Sequence, residues 1–202
     1  MRGLVAPDTH LRFVDPGPNE EPSDEALIAQ AAAGEPSTFT RLAKRYERSL
    51  YCFCLALVGD AEMARDLAQD TLLEVWRTRQ SYRPTSTFRA YLFTLARNRG
   101  RSHLRWRSIR RFVGLDQVKT TVEGPASRLL AADRDRQLWA SLERLPEHFR
   151  LPLVLRFVEE LEYEEIAAII GRTPSTARSR VHYGLKALAD QLPPELNTKE
   201  PR

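Results

Sequence analysis

Arginine is concentrated in one segment of this chain, and no acidic residue accompanies it. Eleven arginines lie in the range Arg77–Phe112, which contains no aspartate or glutamate. A second stretch, Arg172–Lys186, has four basic residues and is likewise free of acids. Cations without neighbouring carboxylates are suited to binding phosphate oxygens. The acids gather at Asp60–Glu74 and Glu143–Glu165. This pattern predicts two contacts with a polyanion and a different partner for an acidic surface.

The second basic stretch lies inside a helix-turn-helix pattern. Apolar residues at Ile166 and Ile170 predict the buried edge of a first helix, and the small Ala167 leaves room for a second helix to cross it. Gly171 can adopt the left-handed conformation of a tight turn. Thr173 followed by Pro174 predicts the start of the second helix.

The second helix is expected to have one apolar and one polar face. The apolar face comprises Ala177, Val181, Leu185 and Leu188, and the opposite face carries Ser175, Thr176, Arg178, Ser179, His182 and Lys186. Arginine can donate two hydrogen bonds to a guanine edge in the major groove, and hydroxyls can hold phosphates. The pattern therefore favours DNA binding, with a helical hairpin that exposes a solvated basic face as the alternative.

Residue types that support catalysis are scattered along the chain. The four histidines have no metal-ligand spacing; they are His10, His103, His148 and His182. Metal-dependent strand transfer needs a carboxylate cluster in a basic cleft, and the arginine segment has no acid. An enzyme that acts on DNA, such as a recombinase, is therefore not expected. We predict no catalytic residue, no metal site and no cofactor.

The two cysteines and the apolar runs indicate the compartment. Cys52 and Cys54 lie too close together to form a disulfide framework, which favours a reducing environment. They lie in Leu50–Val58, the longest apolar stretch and far short of the roughly 18 residues of a membrane helix. Because the N-terminus lacks an apolar signal-peptide segment, we expect a cytoplasmic protein without membrane insertion.

Apolar residues at steps of three and four predict an all-α fold with two helical domains joined by a flexible linker. The predicted divisions are a disordered arm over 1–22, a first domain over 23–112, a linker over 113–128, a second domain over 129–192 and a tail over 193–202. Ser23 and Asp60 are expected to cap helices, and Gly34 and Gly59 to end them. Pro152 lies inside a predicted helix and should kink it.

Two sequence blocks, taken in order, resemble the extracytoplasmic-function (ECF) group of the sigma-70 family of RNA polymerase sigma factors. The first block runs from Asp66 to Trp76 and continues from Phe88 to Asn98. The second runs from Leu145 to Arg156 and is followed by the helix-turn-helix. The resemblance covers residues 24–112 and 129–190, which correspond to sigma regions 2 and 4. It implies a transcription initiation factor that binds core RNA polymerase and recognises the minus-ten and minus-thirty-five promoter elements.

The resemblance also implies roles for individual residues. An exposed Leu73 surrounded by polar and acidic residues suits a basic partner surface with an apolar centre. The residues implied in core-polymerase binding are Asp66, Gln69, Asp70, Leu73 and Glu74. Those implied at the minus-ten element are Tyr82, Phe88, Arg97, Asn98, Arg101 and Arg105, with Arg99 as a further phosphate ligand. Those implied at the minus-thirty-five element are Arg156, Tyr163, Glu164, Thr176, Arg178, Ser179, His182 and Tyr183.

Some of these residues have a structural alternative. Phe88 and Tyr91 lie on the apolar side of their helix and could equally be core residues. The helix face around Leu73 could equally be an ordinary solvated face. A conventional repressor or activator that binds DNA without polymerase is the alternative function. The resemblance further implies an anti-sigma factor as a partner, which nothing in the chain identifies.

Overall fold

The described residues, 21–83, 86–112 and 133–192 of a computed structural model, form α-helices without a β-strand. The helices are α1 (Asp24–Ala32), α2 (Pro36–Val58), α3 (Ala61–Thr78), α4 (Phe88–Phe112), α5 (Asp133–Arg144), α6 (Glu147–Phe157), α7 (Tyr163–Ile170) and α8 (Pro174–Ala189). The prediction of an all-α fold is confirmed. The predicted linker and tail, and the predicted arm except residues 21 and 22, lie outside the described residues.

The N-terminal domain (α1–α4) is built around the long helix α2. Its apolar stripe is buried at Leu42, Leu50 and Phe53, and α1, α3 and α4 pack against it. The rings of Phe53 and Phe93 lie edge to face with centroids 5.1 Å apart. Full burial of each such side chain is worth roughly 1.5–3 kcal/mol, so this stripe stabilises the packing of α3 and α4 on α2.

Local signals fix the ends of these helices where the sequence predicts them. The Ser23 hydroxyl accepts a hydrogen bond from the Ala26 N–H at 3.1 Å. Gly59 ends α2 with φ 69°, and the Asp60 carboxylate then accepts from the Met63 N–H at 2.9 Å. The left-handed glycine followed at once by a capping carboxylate turns the chain sharply, which places α3 beside α2.

The C-terminal domain (α5–α8) has its core between α6, α7 and α8. Leu155, Ile166 and Ala177 are fully buried there. Pro152 lies inside α6, as predicted, and is buried. Leu185 of α8 corrects one prediction: its side chain is 42% exposed, because α8 buries Gly184 against α6 instead.

The two domains pack against each other. Helix α4 contacts α7 and helix α2 contacts α6, so the buried apolar residues of both domains form one continuous cluster. The sequence predicts that there are two helical domains. Periodicity within a helix, however, carries no information about which faces of the two domains are in contact.

Candidate nucleic-acid and protein interfaces

The acidic face of α3 is open to solvent at its centre. Leu73 is 50% exposed, and Asp66 and Gln69 beside it are exposed. Arg99 of α4 reaches the rim of this face, 3.8 Å from Asp70 and 3.5 Å from Glu74. The structure thus brings all five predicted residues to one surface. The guanidinium of Arg99, expected to bind phosphate, pairs with these α3 carboxylates in the free chain.

An aromatic cluster joins the end of α3 to the start of α4. The ring of Tyr82 lies 5.0 Å from that of Tyr91 and 6.0 Å from that of Phe88. Phe88 is only 1% exposed, because it packs on Tyr46 of α2. The structure therefore matches the core alternative for Phe88, and a contact of its ring with a base stays a prediction. Tyr82 is half-buried, and burial raises the pKa of its hydroxyl. Tyr91 is half-buried as well, so two of the three rings in this cluster are partly accessible.

The other predicted minus-ten residues on α4 fall into two groups. Asn98 and Arg105 are exposed. Arg97 instead donates a hydrogen bond of 2.8 Å to the Ile170 carbonyl at the end of α7, and Arg101 lies 3.3 Å from Glu147 of α6. Two of the four are thus free for a ligand, whereas the other two are engaged by the C-terminal domain.

The helix-turn-helix is formed by α7 and α8 as the sequence predicts. Gly171 has φ 64° between them, and the Thr173 hydroxyl accepts from the Thr176 N–H at 3.3 Å to cap α8. Ala167 and Ala177 are buried where the two helices cross. The predicted groove-facing residues other than half-buried Thr176 are exposed on α8; they are Arg178, Ser179, His182 and Tyr183.

Two arginines, one from α6 and one from α8, lie close to the ring of Tyr163 at the start of α7. The guanidinium carbons of Arg156 and Arg178 are each 5.0 Å from the centre of its ring. Arg156 also donates to the Leu161 carbonyl at 2.8 Å and pairs with Glu162 at 3.1 Å. Arg156 therefore stabilises the loop before α7. The ring of Tyr163 packs against the guanidinium of Arg178. Glu164 is exposed at the first turn of α7.

Each of the two domains matches a known protein family. Residues 42–110 match Sigma-70 region 2, and residues 135–188 match Sigma-70, region 4. The chain is 33% identical over 181 residues to the ECF RNA polymerase sigma factor SigE of Mycolicibacterium smegmatis, covering 87% of this chain and 70% of that protein. This chain belongs to the ECF group of the sigma-70 family.

Two further sigma factors are similar over most of their length. The RNA polymerase sigma-H factor of Pseudomonas aeruginosa is 27% identical over 184 residues, which is 86% of this chain and 95% of that protein. The sigma factor RpoE of Bartonella quintana, solved in complex with the anti-sigma factor NepR, aligns with a TM-score of 0.65 and 27% identity over 76% of this chain and 95% of that chain. The two-domain helical architecture of this sigma factor is thus shared with a solved relative.

Residues that join the two domains of this sigma factor escaped the sequence analysis. Arg89 donates to the Glu159 carbonyl at 2.9 Å, and Thr87 donates to the Glu165 carboxylate at 2.9 Å. Both lie in the arginine-rich segment, where charge composition suggests only an external polyanion. A single amino-acid sequence carries no signal that pairs Arg89 with a carbonyl 70 positions later.

Two helical glycines were also missed. A Cβ on Gly100 would lie 2.9 Å from a methyl of Leu67 and closer still to Leu57, and one on Gly184 would lie 3.2 Å from Leu153. Each glycine therefore sits where two helices approach closely. The available signal was a glycine inside a strongly helical segment, which usually has a packing reason.

None of the helices among the described residues is both long and apolar enough to cross a membrane.

Proposed function

We propose that this sigma factor binds core RNA polymerase through the acidic face of α3 and directs it to promoters with minus-ten and minus-thirty-five elements. The observation that carries the proposal is the exposed Leu73 within this face, on the same chain as an exposed basic helix-turn-helix. A partly exposed leucine ringed by Asp66, Gln69, Asp70 and Glu74 offers an apolar anchor with acidic neighbours. Such an anchor fits a basic protein surface.

The minus-thirty-five element would be read by α8 in the major groove. Arg178 is exposed and lies against Tyr163, which limits the conformations of its long side chain. An arginine held in place loses less freedom when it makes two bonds to a guanine edge. Thr176, Ser179, His182 and Tyr183 flank it, with Glu164 near the start of α7, whereas Arg156 acts by bracing the loop before α7.

The minus-ten element would be opened and held by the N-terminal domain. Tyr82 offers a partly accessible ring for stacking on an unpaired base, and Asn98 offers amide hydrogen bonds. Arg105 would bind phosphate at once, and Arg97 and Arg101 would do so once released from the C-terminal domain. The functional divisions are 23–112 for polymerase and minus-ten contacts and 129–192 for the minus-thirty-five contact, with 113–128 as the linker.

A regulatory partner and a compartment complete the proposal. The Bartonella quintana relative is known in complex with the anti-sigma factor NepR, and we propose an anti-sigma factor for this chain as well. We place the protein in the cytoplasm, where polymerase and promoter DNA are found. Its role would be that of a binding subunit rather than an enzyme, without a cofactor or metal.

The test is run-off transcription with core polymerase on a promoter library, beside gel shifts of the same promoters with and without core enzyme. We expect specific transcripts, and weak DNA binding by the free protein. Leu73→Ala should reduce core binding, whereas Glu47→Ala on an exposed part of α2 should not. Strong sequence-specific binding by the free protein, without transcription, would instead identify a conventional regulator.

A further inference from the structure

The first helix of the chain places a carboxylate at the start of α4. Phe88 is the first residue of α4, so its backbone N–H has no acceptor within that helix. It donates instead to the Glu25 carboxylate of α1 at 3.1 Å. Helix α1 is held on the domain because its Leu27 and Ile28 are buried in the core. Glu25 therefore has a defined place beside the loop that leads into α4.

Glu25 occupies a position that would otherwise suit a phosphate. The N-terminus of a helix carries a partial positive charge and attracts anions, but at α4 a carboxylate of the chain is already there. The neighbouring Asp24 is paired with Arg45. Glu25 is exposed, and the described residues place no cation within ion-pair distance of it. A DNA strand that passes Glu25 is therefore expected to turn a base towards it rather than a phosphate.

The ring of Tyr82 lies near this carboxylate. Burial raises the pKa of the Tyr82 hydroxyl, and the charge of Glu25 adds to the effect. The hydroxyl oxygen is buried and has no hydrogen-bond partner in the described part of the chain, so the accessible part of this side chain is ring carbon. Aromatic rings stack on bases of any sequence. Tyr82 and Glu25 thus combine a stacking surface with a hydrogen-bond acceptor at the entry to α4.

A carboxylate at this place can distinguish between bases. When ionised it accepts hydrogen bonds and donates none. Adenine, cytosine and guanine each carry an exocyclic amino group that donates, whereas thymine has carbonyl oxygens and a methyl group instead. The Phe88 N–H uses one oxygen of Glu25, which orients the carboxylate and leaves the second oxygen for a base. Glu25 therefore has the chemistry to favour a base with an amino group over thymine.

We propose that Glu25 is a specificity-determining residue for the minus-ten element, whose carboxylate accepts a hydrogen bond from the exocyclic amino group of an unpaired base stacked on Tyr82. The inference rests on the proposed function and adds a residue of α1 to the surface formed by α3 and α4. Arginines on phosphates hold every sequence alike. The acid beside Tyr82 adds a distinction between bases, and the same side chain positions the first turn of α4.

The test is a double-mutant cycle between Glu25 and the amino group of the base. Holoenzyme made from core polymerase and the full-length chain binds a promoter duplex whose minus-ten segment is single-stranded on the non-template strand. Each minus-ten position is set in turn to adenine or cytosine, and purine or pyrimidin-2-one then removes only the amino group of that base. The chain is the wild type, Glu25→Ala, Glu25→Gln or, as the matched charge control on exposed α2, Glu47→Ala.

At one position we expect loss of the amino group to weaken binding by the wild type and by Glu47→Ala about tenfold, as for one hydrogen bond to a charged group. In Glu25→Ala the same change should have no effect at that position. Glu25→Gln keeps an oxygen for the Phe88 N–H and gains an amide donor, so it should bind thymine there about as well as adenine or cytosine. Equal weakening by Glu25→Ala on every probe, with or without the amino group, would show that Glu25 only positions α4 and would overturn the proposal.

Failure of the proposed function gives a different result. If the wild-type chain confers no minus-ten binding on core polymerase, that function fails, and the cycle is repeated with the free full-length chain on the single strand alone. Coupling between Glu25 and the amino group in that assay supports the base contact. Binding that does not depend on the amino group, or no binding at all, overturns it.

Discussion

Glu160, in the loop between α6 and α7, adopts a backbone conformation that its side chain disfavours. Its φ is 53°, which makes it the described non-glycine residue with a left-handed backbone. That conformation costs an L-residue roughly 1–2 kcal/mol. Replacing Glu160 with glycine relieves this strain, but the greater freedom of glycine in the unfolded chain offsets part of the stabilisation. We therefore expect Glu160→Gly to stabilise the protein by about 1 kcal/mol in urea denaturation.

The matched control at this position is Glu160→Ala. It removes the same exposed carboxylate but keeps the Cβ that causes the strain. A stabilisation by alanine equal to that by glycine would show that charge, and not backbone conformation, is responsible.

Glu159, one residue earlier, makes stability depend on pH. Burial raises the pKa of its carboxyl, although the Ser49 hydroxyl and Arg89 act in the opposite direction. Because the folded pKa is raised, the folded state binds the proton more tightly. The stabilisation of the folded state by protonated Glu159 is therefore full at low pH. It is lost as the pH rises through the raised pKa of this carboxyl.

Glu159→Gln should accordingly stabilise the protein at neutral pH, where the wild type must bury a charge. Its advantage over the wild type should shrink as the pH falls from the raised pKa of Glu159 towards the usual pKa of glutamate. Thermal denaturation across that pH range measures the difference in stability between the variant and the wild type. Glu47→Gln, at an exposed position of α2, is the control. A constant advantage at all pH values would contradict a titrating Glu159.

At the scale of elements, Gly100 sets the distance between α4 and its neighbours. A Cβ there would overlap side-chain methyls of Leu57 on α2 and Leu67 on α3. Alanine favours helix over glycine by about 1 kcal/mol, but overpacking a core costs typically 1–3 kcal/mol. We expect Gly100→Ala to destabilise the protein despite the better helix propensity, and denaturant unfolding measures it.

Ser102→Ala serves as the control on the same helix, because Ser102 is exposed and alanine there gains propensity without a clash. If Gly100→Ala were as stabilising as Ser102→Ala, the close approach of α4 to α2 and α3 would not be limiting.

The ends of the helices could be predicted from the sequence, whereas the burial of some side chains on them could not. Ser23, Asp60 and Thr173 cap helices as predicted, because a cap depends on atoms within a few residues. The helix-turn-helix was predictable for the same reason. The exposure of Leu185 was not, because it depends on which distant helix packs there, and for the same reason the sequence left open whether Phe88 is a core residue.

The partners of Arg97 and Arg99 show the same limit at the candidate site. A run of arginines predicts affinity for anions, but it does not distinguish a DNA phosphate from a carbonyl of α7 or a carboxylate of α3. The acidic face of α3 was predictable as a set, because its five residues are one or two turns apart on one helix. The domain contact was not, since it joins residues far apart in sequence.

At the scale of the whole molecule, the domain contact determines how many cations the free chain offers to DNA. Glu147 lies beside Arg101 and also acts on the charge of Arg97. Glu147→Lys would replace this attraction with repulsion and should weaken the contact between the domains at Arg97 and Arg101. Each phosphate that Arg97 and Arg101 then bind adds about 0.9 to the slope of log affinity against log salt concentration. We therefore expect the variant to bind a non-specific duplex more tightly and with a salt slope steeper by about two phosphate contacts.

The control for this prediction is Glu47→Lys, which makes the same change of net charge on an exposed part of α2 away from α4. Net charge alone raises the affinity of both variants for a polyanion, but release of Arg97 and Arg101 should occur only in Glu147→Lys. The difference between the two salt slopes therefore isolates the domain contact. Parallel slopes would mean that these arginines are available to DNA in the free chain, or that one reversed charge leaves the apolar packing of α6 on α2 intact. Ser49 of α2 lies beside Glu159 across the domain contact, and Cys52 is a further neighbour. The rate at which cysteines introduced at positions 49 and 159 form a disulfide, measured with Cys52→Ser in the Glu147→Lys background, separates those two explanations.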